Sequence, residues 1–179
     1  MTKDQLNEFR EKIAKDTEYN DCRERFRNNY EDIEAIIGDR RNLINNVAQK
    51  ANQNKLWEQE GIKSAARKLC CLTPVGNKDR GFEAGTNILR ATYFLRHHTG
   101  LFDKWDGFLE DLDDVNEIEI GSHWKGKDPI LAVLTIVKQI RDNLFHGGKV
   151  QLENKVYERN KVLICLASEI LDIVLKNIN

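Results

Sequence analysis

Apolar residues recur three and four positions apart along most of this chain, the spacing of amphipathic helices, while the alternating pattern of strands is scarce. The pattern predicts an all-α fold. Its clearest element is the last. There Val156, Leu163 and Ile170 form one stripe, Asn160, Ala167 and Val174 a second, and Ile164, Leu171 and Ile178 a third. A face that wide predicts a central place in a bundle. Before it, Asp128-Pro129 reads as an N-cap and first helical residue, with Ile130, Leu134, Val137, Ile140 or Arg141, and Leu144 following at helical spacing. Gly147-Gly148 predicts the stop.

Upstream, residues 82–98 predict another helix, with Ile88, Leu89, Thr92 and Leu95 on its apolar side and Gly100 after it. A short helix is expected over 103–112, then a loop up to Asp128 long enough to be functional or mobile. The first third has helical patterns over 6–13, 22–37 and 43–69, divided near Gly38-Asp39 and closed by Thr73-Pro74-Val75-Gly76. That turn sets the expected boundary between an N-terminal helical extension, residues 1–80, and a helical bundle, residues 81–179.

Composition narrows the function. The 179 residues carry 28 basic and 29 acidic side chains, a formal charge of −1, so there is no global basic field and nucleic-acid contact would be local. The halves differ little: residues 1–80 hold 16 basic and 14 acidic groups. The start lacks the apolar region of a secretory signal, and the longest apolar run, 162–175, is interrupted by Glu169 and Asp172 and falls short of a bilayer span. A cytoplasmic location and no membrane span are expected. Cys22, Cys70, Cys71 and Cys165 show no C-x-x-C spacing and read as buried reduced thiols.

One constellation carries chemistry. Arg141-Asp142-Asn143-Leu144-Phe145-His146 places an arginine and a histidine five positions apart at the end of a helix, followed by Gly147-Gly148-Lys149. Five residues advance an ideal helix by about 7.5 Å and turn it by about 140°, so the two side chains do not stack on one face. At a frayed last turn they can still converge on one phosphate. The helix macrodipole there favours imidazolium, which suits a group that exchanges a proton near neutral pH, and arginine supplies a permanently charged fork for phosphate. The spacing equally fits an arginine satisfying a carboxylate and a histidine capping the helix.

The string IRDNLFHGGK resembles the signature of the HEPN superfamily, Arg-polar-x-x-x-His at the end of the penultimate core helix, and is similar in particular to the phage-defence, ApeA-like branch. The resemblance is tight over about ten residues and looser over the helices of 81–179. It implies a metal-independent endoribonuclease without cofactor, a toxin or anti-phage effector, in which the motif helices of two protomers meet in a homodimer or higher homo-oligomer. By position, Arg141 would bind the scissile phosphate, His146 would act as general acid or base, and Asp142 would orient them. Beside them, Asn143 and Lys149 are candidate substrate contacts, Lys149 reading either as a ligand of a flanking phosphate or as an exposed loop lysine. Many members have Asn where this chain has Asp142. The implied chemistry uses the ribose 2′-hydroxyl of RNA and leaves a 2′,3′-cyclic phosphate. Two alternatives remain: a catalytically silent HEPN binding module, and an oligomeric accessory subunit of an RNA-guided defence system.

Other features have weaker claims. His97-His98 makes a poor bidentate metal site, because adjacent side chains diverge by about 100° on a helix. His123-Trp124 suits base stacking or core anchoring. Residues 103–119 hold eight acids and one lysine, which suits a solvated face or a docking surface for a basic antitoxin or regulatory partner. Arg23, Arg25 and Arg27 are expected to be exposed and paired along their own helix.

Overall fold

A computed structural model describes residues 3–72, 86–103, 128–146 and 154–179. Its described elements are all helical: α1 (Lys3–Lys15), α2 (Thr17–Ile37), α3 (Leu43–Gln53), a 3₁₀ turn (Leu56–Glu58), α4 (Glu60–Leu72), α5 (Thr86–His97), α6 (Pro129–His146) and α7 (Asn154–Ile178). The short helix expected over 103–112 and the loop after it lie outside the described residues, apart from Asp103.

Local chemistry sets the helix ends. Asp16 caps α2, its carboxylate accepting from the Tyr19 backbone N–H at 3.0 Å. This cap starts α2 five residues before the apolar pattern begins. At the other end Gly38 adopts a left-handed φ of 74° and donates its N–H to the Glu34 carbonyl. The Asp128 carboxylate accepts from the N–H groups of Ile130 and Leu131, as the Asp-Pro signal predicts.

The continuous helix expected over 43–69 is instead broken. Lys55 sits in the left-handed region (φ 54°) and Leu56 turns fully inward, leaving α3 and α4 separate. No glycine or proline marks the break in the sequence. It is held from a distance: Asn54 donates to the Asn177 carbonyl, Gln59 to the Asn177 side chain and Asn52 to the Asp128 carboxylate. Those bonds and the burial of Leu56 outweigh one residue's left-handed strain.

The last helix is central, as its wide apolar face predicts. It packs most extensively on α2 and also meets α4, α3 and α6, while α6 lies along α5 and α3. Leu163, Ile164, Ala167, Ile170, Leu171, Val174 and Ile178 are all buried. One hydrophobic cluster joins them to Phe26, Val47 and Leu69 from the first half of the chain and to Ile130, Val133 and Val137 of α6. The core therefore draws on residues from both sides of positions 73–76.

The α2–α7 seam has a polar register. Arg25 donates to Ser168 at 2.7 Å and Asn29 to Asp172 at 2.6 Å, both across 143 residues of sequence. Cys22 and Cys165, at the same separation, form a disulfide. A constant offset means that the two helices run parallel. Near their starts Tyr157 donates to Asp16 at 2.8 Å and Lys161 pairs with it at 3.1 Å.

Two sequence expectations change here. The cysteines are not all reduced thiols, because the helix register brings two of them face to face, while Cys70 (buried) and Cys71 (exposed) are free. Burial pushes the Cys70 thiol up to about 12, which keeps it protonated and unreactive. Among the three arginines of α2, Arg27 pairs along its own helix with Glu31 at 3.8 Å, but Arg25 turns to α7.

Candidate functional site

The C-terminal turns of α6 emerge from the core. Residues Ile130 to Val137 are buried or half-buried, whereas Lys138, Gln139 and Asn143 are exposed and Arg141 and Asp142 half-buried. The sequence motif begins where the helix leaves its apolar bed.

Arg141 is one-third exposed and surrounded by named partners. Its Nη2 lies 3.8 Å from Glu34 Oε1 and its Nη1 3.3 Å from Asp142 Oδ1. The guanidinium carbon stands 4.8 Å from the centre of the Tyr30 ring, a cation–π distance. Glu34 is shared, since its other oxygen lies 3.4 Å from Arg40 Nε. Asp142 is shared as well, being paired with Lys138 one helical turn back. Burial pushes the Tyr30 phenol up, opposed by Arg141 and reinforced by Asp142 and Glu34, so the ring under the guanidinium stays neutral.

Among the described residues these pairs set Arg40, Lys138 and Arg141 against Glu34 and Asp142, three positive groups to two negative ones. Such a patch attracts an anion weakly at long range; affinity would have to come from close contacts. Asn143 accepts from Gln139 at 2.8 Å on the exposed side of the helix. His146 is the last residue of α6; its side chain and the whole of Lys149 lie outside the described residues, as do His123 and Trp124. The structure therefore brings Arg141, Asp142 and Asn143 to one helix end.

Tyr30, Glu34 and Arg40 are the additions that sequence reading missed. They come from α2 and the turn after it, about a hundred positions from Arg141. No short-range signal announces a contact at that separation. Behind Tyr30 a hollow between α2, α3, α6 and α7 is lined by Ile33, Val47, Leu134 and Leu171 and offers no polar chemistry.

No family model, curated protein or solved structure matches this chain.

His97 and His98 are exposed at the end of α5, with His97 4.4 Å from the Tyr93 ring centre and His98 6.1 Å from that of Phe94. Among the described residues no three His, Cys, Asp or Glu side chains gather as metal ligands would. None of the described helices is long and apolar enough to cross a membrane.

Proposed function

We propose that the chain is a HEPN-type endoribonuclease working as a toxin or defence effector, with Arg141 and His146 as its chemical groups. The single observation that carries this reading is the place of the motif. Arg141-Asp142-Asn143-Leu144-Phe145-His146 closes α6, the next described element being the long helix α7, in a chain whose described elements are all helical. A partly exposed arginine at that end, already ordered by neighbours, suits a phosphate ligand.

In the proposed step the 2′-hydroxyl attacks the adjacent phosphorus and the 5′-oxygen leaves, giving a 2′,3′-cyclic phosphate and a 5′-hydroxyl. His146 takes or gives the proton, and Arg141 offsets the charge that builds on the phosphorane oxygens. A second protomer completes the site in this reading. Because Ile130 to Val137 are packed within the fold, a partner helix would have to meet the face of Lys138, Gln139, Asp142 and Asn143.

The test is RNA cleavage by the full chain in EDTA, with Arg141→Ala, His146→Ala and a substrate carrying a 2′-deoxy ribose at the scissile nucleotide. Cleavage should persist in chelator, stop with the 2′-deoxy substrate, and fall by about 10² to 10⁴-fold in His146→Ala. Full activity in His146→Ala, or dependence on a metal, would falsify the mechanism. A second reading, a silent binding module, has its own support in the pairing of Arg141 with Glu34 and Asp142, which is also how a structural arginine is held. RNA binding without cleavage in the wild type selects it.

A further inference from the structure

The geometry points to Tyr30 and Glu34 as positioning residues that aim the Arg141 guanidinium, making the N-terminal half of the chain part of the motif's site. This inference rests on the ribonuclease reading for its meaning, though the contact itself is independent of that reading.

Tyr30 and Glu34 are four residues apart on α2 and so share one helix face. The ring lies 4.8 Å from the guanidinium carbon and the carboxylate 3.8 Å from Nη2, so one helical turn contributes an aromatic platform and a charge to the same side chain. The two contacts act differently. A ring beneath the guanidinium uses its π-face and not its in-plane N–H fork. The carboxylate stands beyond hydrogen-bond distance and orients the cation by charge, while Nη1 donates to Asp142 at 3.3 Å.

The turn that carries them is itself fixed. Asn29, beside Tyr30, is buried and donates to both the Ser168 carbonyl and Asp172, and the disulfide ties α2 to α7 two turns earlier. Glu34 is only 17% exposed and is also paired with Arg40, so its carboxylate has little room to swing. An arginine on a freely rotating stem would lose that rotational freedom whenever it met a phosphate; one already held loses less.

The experiment uses the uniformly ¹⁵N-labelled full chain. The Arg141 Nε–H resonance is assigned by its disappearance in Arg141→Lys, and its exchange with solvent is compared in wild type, Glu34→Gln, Tyr30→Leu and Tyr30→Phe. We expect exchange to quicken about tenfold in Glu34→Gln and Tyr30→Leu, the factor that about 1.4 kcal/mol corresponds to. Tyr30→Phe should keep the slow signal, because it keeps the ring. In RNA cleavage, kcat should fall by about tenfold in Glu34→Gln with a smaller change in KM, as expected of a misaimed group.

Unchanged exchange in Glu34→Gln overturns the inference; this variant decides the matter even if Tyr30→Leu fails to fold. Faster cleavage by Glu34→Gln also overturns it, by showing that the carboxylate opposes the phosphate. A wild type that cleaves no RNA ends the proposed function, and the exchange rates then decide the positioning of Arg141 alone.

Discussion

The disulfide between Cys22 and Cys165 is the covalent tie most open to test. Reduction breaks a link across 143 residues of sequence, and the chain-entropy relation for a loop of that length gives about 5 kcal/mol of stability. That is a large share of the roughly 5–15 kcal/mol by which domains are stable, and for a chain of this size it corresponds to a melting point about 10–20 °C lower. The loss should not unfold the protein at room temperature. Arg25–Ser168, Asn29–Asp172 and the Asp16 cluster still hold α2 in register on α7. The assay is thermal unfolding followed by circular dichroism, with and without a phosphine reductant, alongside a Cys22→Ser/Cys165→Ser variant whose melt should no longer respond to reductant. Thiol counting completes it: alkylation in denaturant should label two cysteines before reduction and four after. In the native protein Cys71 should label and Cys70 should not, being buried with its pKa raised. Four labelled cysteines without reductant, or superimposable melts with the bond verified, would refute the reasoning.

Three further outcomes follow from the core and the caps. Phe26→Ala empties a fully buried site in the shared cluster and should cost about 3–5 kcal/mol, read as a lower urea midpoint at unchanged m. Gly38→Ala meets no atom within 4 Å, so its cost of about 1 kcal/mol should come from the left-handed backbone alone, and Gly38→Asn should recover part of it. The Tyr19 backbone N–H, then the Tyr157 hydroxyl and Lys161, hold the Asp16 carboxyl down to about 2 from its ordinary 3.8. A depressed carboxylate contributes stability above its unfolded value that disappears as pH falls through the folded one. Acid unfolding of the wild type should therefore steepen between about pH 4 and pH 2, and Asp16→Asn should flatten that limb.

What the sequence by itself determined was what can be read within a few residues. The central apolar face of α7, the Asp128 cap, the glycine stop at Gly38 and the all-helical class each depend on contacts at i+3, i+4 or closer, and each stands in the structure. Asp16 belongs with them: its cap was legible in principle, but the apolar pattern begins later and drew the boundary to itself. The end of α6 at His146, where the motif string closes, was legible from Gly147-Gly148. Tertiary structure decided the rest. The break at Lys55 depends on Asn177, the disulfide on a parallel register between helices 143 residues apart, and the surroundings of Arg141 on a turn of α2. None of these leaves a periodic trace in the sequence. Helix formation is a short-range bargain between backbone hydrogen bonds and one apolar face, whereas which faces meet is settled by the packing of the whole core.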